Sequence, residues 1–116
     1  MIQELIAHTN NSNFVFKLNQ QLSNGFRVIP GTTYAVALED EKDHFFSMVL
    51  WKNNREIMLT SITFGAFVSQ VNTYLNDGYL VVVGTLYACS LNISITIFDE
   101  EPKLFTQYFF NIIGKD

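Results

Sequence analysis

The stretch Phe64 to Leu86, FGAFVSQVNTYLNDGYLVVVGTL, constrains the fold of this chain more than any other. Phe64, Phe67, Val68, Val71, Tyr74 and Leu75 recur at the helical period, while Ser69, Gln70, Asn72, Thr73 and Asn76 occupy the opposite side. That is one apolar stripe on one amphipathic helix. Thr63 or Ser61 can cap its start, and Asn76-Asp77-Gly78 stops it, with Gly78 suited to a left-handed position. Tyr79 to Tyr87 is apolar and β-branched and reads as a buried strand, with Gly84 marking a bulge or sharp bend.

Upstream, TTYAVALE and HFFSMVLWK flank the charged tip Asp40-Glu41-Lys42-Asp43 and predict an antiparallel hairpin. In the second run Phe46, Met48 and Leu50 share one face, assigned to the core, which turns Trp51 to the other side. Asn53-Asn54 marks a turn, and Arg55 to Phe64 reads as a third strand of a meander. After the helix, NISITIFD (92–99) alternates as a further strand, broken by Asp99-Glu100-Glu101-Pro102. Residues 1–32 are the least readable. The alternation of Phe14, Phe16 and Leu18 suggests a short strand, Gln20 to Gly25 a loop, and Gly25 to Ile29 another strand closed by Pro30-Gly31. Lys103 to Ile113 reads as a strand or a short helix. No internal repeat and no linker is read along the chain.

The order is three strands, a helix, then two strands. It predicts a mainly β chain with the connectivity of an OB-fold, a five-stranded Greek-key barrel with one helix between strands 3 and 4. The 116 residues read as a single domain, with a barrel core of about 32–99 and N- and C-terminal extensions.

Composition narrows the function. The formal charge is −4, which argues against electrostatic coating of duplex DNA. Eleven phenylalanines and five tyrosines are more aromatics than so short a core needs. The single cysteine, Cys89, allows no internal disulfide and no multi-cysteine zinc site. It lies in an apolar run and reads as a buried small residue rather than a nucleophile. His8 and His44 stand apart with no ligand spacing, and no P-loop, GxGxxG or Ser/His/Asp order is present. The acidic groups at 39–41 and 99–101 read as charged loop tips. No cofactor, no metal and no catalysis is expected. The N-terminus lacks a signal-peptide pattern and no apolar run is of membrane-spanning length, so a cytoplasmic protein is expected.

MLTSITFGAFVSQVNTYLNDGYLVVVGTL resembles the centre of bacterial and phage single-stranded DNA-binding proteins of the SSB type, over about residues 57–98. Phe64-Gly65, Val71, Tyr74-Leu75, Gly78, Val81 to Val83 and Gly84-Thr85-Leu86 stand in the family's places. Val68 replaces its helix alanine, and the family's acidic tail is not expected from FNIIGKD. The resemblance implies an OB-fold, homo-oligomers (dimers or tetramers), and sequence-independent binding of single-stranded DNA, or RNA, in replication or recombination. It implies a stacking role for Phe64, with Met58 on the same strand face and Tyr87 near a further aromatic position. From the residues themselves, Trp51 could join Phe64 on the strand 2–3 surface, with Lys52 and Arg55 neutralising phosphates. Stacking contributes about 1–3 kcal/mol per base. The alternatives stay open: Phe64 as a packing residue at the helix start, Trp51 and Tyr87 as core or interface, Lys52 and Arg55 as solvated charges. Between Arg55 and Lys103 there is no Lys or Arg. The rival reading is accordingly an acidic OB-like protein-interaction module: an inhibitor, an immunity protein or an assembly subunit.

Overall fold

The computed structural model describes residues 1–91 and 103–116. The strand expected over 92–99 and the break after it lie outside these residues. The described chain is mainly β, with two antiparallel sheets and two helices.

The chain begins with β1 (Ile2–His8) and α1 (Asn11–Ser23). The helix corrects the strand expected around Phe14. Alternation and helical spacing overlap there: Phe14 and Leu18 lie one turn apart and pack inward, while Phe16 between them is 71% exposed. The Asn10 side chain decides the issue by accepting the Asn13 N–H at 3.0 Å as an N-cap. After β2 (Arg27–Val28) comes β3 (Tyr34–Glu39). The chain then enters β4 (His44–Lys52), turns at Asn53-Asn54 and returns as β5 (Arg55–Ser61). Both asparagines have positive φ (52° and 63°), as a tight primed turn requires. Then follow α2 (Phe64–Asn76), β6 (Leu80–Val81), β7 (Tyr87–Ser90) and β8 (Phe105–Lys115).

In the first sheet β8 is central, pairing with β1 on one side and with β2 and β3 on the other; in the second, β4 pairs with β5, β6 and β7. Three expectations therefore change. TTYAVALE and HFFSMVLWK do not form a hairpin: β3 lies along β8, with Tyr34 opposite Phe110. The charged tip carries the chain from one sheet to the other, a difference that local turn chemistry does not express. Second, residues 1–31 and 103–116 do not extend a core built elsewhere. They build most of the first sheet, and Phe110, Ile112 and Ile113 of β8 are among the most buried residues. Third, Tyr79 to Tyr87 is not one continuous buried strand. Two residues pair, the chain bends at Gly84 (φ +85°) with Val83 exposed, and β7 begins.

The chain contains an internal repeat, contrary to the sequence reading. The unit β1-α1-β2-β3 recurs as β5-α2-β6-β7 at one constant spacing, which aligns Phe14 with Phe67, Asn19 with Asn72, Leu22 with Leu75, Gly25 with Gly78 and Thr32 with Thr85. The geometry repeats in detail. Each helix has 13 residues, and the N-cap residues Asn10 and Thr63 have φ/ψ of −116°/124° and −118°/124°. Gly25 and Gly78 turn at φ +94° and +97°. The Thr32 hydroxyl donates to the Ile29 carbonyl, and that of Thr85 to the Val82 carbonyl, each at 2.6 Å. Lys115 donates to the Asn24 carbonyl above Phe26; Lys52 donates to the Asp77 carbonyl above Tyr79.

The main core lies between the sheets: Phe46, Met48 and Leu50 of β4, Phe67, Val71 and Leu75 of α2, Leu5 of β1, and Phe110 and Ile112 of β8. The inward face assigned to β4 is thus the observed one. α1 closes a smaller cluster with Ile6, Phe14 and Ile113 on the other side of the first sheet. Burial of a large apolar side chain contributes about 1.5–3 kcal/mol, so α2, with three buried residues to one for α1, is the more firmly held helix.

Candidate interaction surface

Strand alternation sorts the second sheet into two faces. Phe46, Met48 and Leu50 point into the core. Phe45, Ser47, Val49 and Trp51 therefore line the outer face. On β5, Met58 lies opposite Val49 and Glu56 opposite Trp51; on β7, Tyr87 lies opposite Ser47. Trp51 (39%), Met58 (65%) and Tyr87 (53%) are exposed there. The structure thus brings three of the expected binding residues onto one open sheet face.

The other three are elsewhere. Lys52 and Arg55 pair across the β4–β5 turn with the parity of the inner face. Lys52 Nζ donates to the Asp77 carbonyl at 2.6 Å, lies 3.8 Å from the Asp77 carboxylate and sits 5.6 Å above the Tyr79 ring. Arg55 is exposed beside it. Phe64 packs inward, its ring centroid 4.8 Å from Tyr108, 5.7 Å from Phe110 and 5.9 Å from Phe46. The packing alternative for Phe64 is the one the geometry matches.

Opposite Trp51 on this face stands the exposed Glu56 carboxylate. The Cys89 thiol, through its hydrogen bond and then its charge, pushes the Tyr87 phenol above its ordinary range. Cys89 is half-buried and free. A cleft between the two glycine-threonine turns is lined by Gly31, Thr32, Tyr34, Met48, Gly84 and Leu86, with no titratable acid or base for proton transfer near neutral pH. His44 is held at both ring nitrogens, 2.8 Å from the Glu39 carbonyl and 3.0 Å from the Tyr108 hydroxyl. A carbonyl only accepts, so Nε2 carries a proton and donates it in the hydrogen bond to Glu39, while Nδ1 is hydrogen-bonded to the Tyr108 hydroxyl. Among the described residues no group of three or more His, Cys, Asp or Glu could hold a metal ion, and no helix is long and apolar enough to cross a membrane.

Sequence reasoning missed the residues that join the halves. Asn72 on α2 accepts the Leu5 N–H at 2.8 Å and donates to the Leu5 carbonyl at 3.1 Å. Gln3 accepts the Val81 N–H at 2.9 Å. The constant spacing between the halves was the available signal. Comparison with models of known families, with characterised proteins and with solved structures gives no match.

Proposed function

We propose that the protein is a non-catalytic protein-interaction module, an assembly subunit whose working surface is the outer face of the second sheet. One observation carries this reading: Trp51, Met58 and Tyr87 are exposed on a single sheet face from which Lys52 and Arg55 are turned away. An apolar and aromatic centre with few cations matches the composition of protein interfaces. Phosphate binding needs the reverse.

A second reading is single-strand nucleic-acid binding by an OB-type module. It is supported by the same three side chains, since any base can stack on an exposed aromatic. The order β3, β4, β5, α2, β6, β7 also follows the OB-fold sequence of elements. Trp51 is the chain's only tryptophan and reports on this face directly. Under the protein-interaction reading, oligo-dT at low salt leaves Trp51 emission unchanged at micromolar protein. Salt-sensitive quenching overturns it in favour of nucleic acid.

A further inference from the structure

Among the described residues, three polar contacts join the halves within one chain. Asn72 grips both backbone groups of Leu5 on the free edge of β1; Gln3 takes the Val81 N–H; and the Tyr34 hydroxyl donates to the Ala88 carbonyl at 3.4 Å. Every participant has a counterpart at the constant spacing of the repeat: Asn19 for Asn72, Met58 for Leu5, Glu56 for Gln3, Val28 for Val81, Tyr87 for Tyr34 and Ala35 for Ala88. The originals are buried or half-buried, whereas all six counterparts are exposed.

The counterparts keep the chemistry needed to form the same contacts. The Asn19 amide can both accept and donate, as Asn72 does. A Glu56 carboxylate accepts an N–H as the Gln3 carbonyl oxygen does. Tyr87 retains the hydroxyl of Tyr34. Among the described residues, the corresponding backbone groups are also free to receive them. Val49, opposite Met58, turns its own N–H and C=O toward Thr85 and Val82, so the antiparallel ladder turns the N–H and C=O of Met58 outward from the edge. The Ile29 N–H bonds to Ile112, so the Val28 N–H points away from β8.

The β1 edge fits α2, yet the corresponding β5 edge does not return to α1 of the same chain. The relation between the halves is therefore heterologous, and a surface complementary to each exposed set lies on another copy of this chain. We propose that the chains associate head to tail. The β5 edge and outer second-sheet face of one copy dock between α1 and β2 of the next, reproducing the internal joint. This rests on the protein-interaction reading of that face and names its partner. Heterologous contacts close into rings or run on as filaments.

The test is sedimentation of the full chain with two arginine variants, one on each side of the joint. Wild type is expected to form species larger than a monomer at high micromolar protein. Asn19→Arg blocks the α1 side and Met58→Arg the β5 side. Each alone is expected to sediment as a monomer with a wild-type circular dichroism spectrum. Mixed in equal amounts they retain one intact joint and form a heterodimer and nothing larger, which a two-fold symmetric interface cannot do. The milder Tyr87→Phe is expected to weaken association about tenfold by removing one hydrogen bond. Monomeric wild type, wild-type assembly by either arginine variant, or no heterodimer on mixing overturns the proposal. A monomeric wild type whose Trp51 ignores oligo-dT refutes the second copy as partner but not the protein-interaction reading; quenching by oligo-dT refutes that reading itself.

Discussion

Asn72 holds the backbone of Leu5 from both sides, accepting its N–H at 2.8 Å and donating to its carbonyl at 3.1 Å. The two residues are far apart in sequence, and this contact fastens the second half of the chain to the first. Asn72→Ala leaves two partly buried backbone groups unpaired. The expected loss is about 2–3 kcal/mol in urea unfolding. Asn19→Ala, at the corresponding exposed position, is expected to change the stability of the monomer by less than about 0.5 kcal/mol. Equal losses at the two sites would mean that Asn72 acts within its helix rather than at the joint.

Phe64 and Trp51 separate packing from binding. Phe64→Ala removes a ring from the Tyr108, Phe110 and Phe46 cluster and is expected to cost about 3 kcal/mol. Trp51→Ala, on the open face, is expected to cost less than about 1 kcal/mol. Chemical denaturation of both variants checks the ordering; a reversed order would place Phe64 on the working surface.

Gly31 and Gly84 occupy equivalent turns at φ +79° and +85°. Alanine at Gly84 meets no atom within 4 Å and carries only the backbone strain, about 1 kcal/mol. Alanine at Gly31 adds a Cβ 2.6 Å from Val83 Cγ1. Thermal melts are therefore expected to show Gly31→Ala as the more destabilised, and equal melting temperatures would show that Val83 yields freely.

Burial, and then the charge of Asp40, raises the Tyr108 phenol above its ordinary value of 10.0. The folded state therefore holds this proton more tightly than the unfolded chain. Stability is intact below pH 10.0 and falls as the pH rises from there through the folded-state value. Tyr108→Phe is expected to be less stable at neutral pH, having lost its hydroxyl bond to His44, and to show a flatter alkaline limb. Urea midpoints against pH test this, and an unchanged slope would assign the limb to another group.

Glu39 titrates in the opposite sense. Its hydrogen bond to Lys42, with help from Lys103, holds the carboxyl below its ordinary 4.5. That contribution is present above pH 4.5 and lost as the pH falls through the folded-state value. Glu39→Gln is expected to flatten the acid limb of the same urea titration, by a small amount because the pair is solvent-screened.

What could be read early was whatever depends on near neighbours in the chain. The α2 stripe, the glycine stop at Gly78, the Asn53-Asn54 turn and the inward face of β4 follow from period and turn chemistry. The repeat escaped because its first copy lacks the long apolar stripe. Lys17 and Asn19 beside Phe16 obscure the helix, and the identities, such as Phe14/Phe67, Asn19/Asn72, Leu22/Leu75 and Tyr34/Tyr87, are scattered among unlike neighbours. The binding residues were only partly legible for a related reason. An aromatic at the end of a strand or the start of a helix can point either way, and the opposing sheet sends Phe64 inward while leaving Trp51, Met58 and Tyr87 open.

The stretch Phe64 to Leu86 by itself determined a helix and its end, because those depend on contacts a few residues apart. Only the tertiary structure decided that β3 joins β8 rather than β4, that the terminal segments build most of the first sheet, and that α2 fastens the second half of a repeat to the first. Sheet pairing and the joint between the halves rest on hydrogen bonds between residues distant in the chain, such as Asn72 and Leu5, and no local pattern encodes which distant edge will be present to accept them.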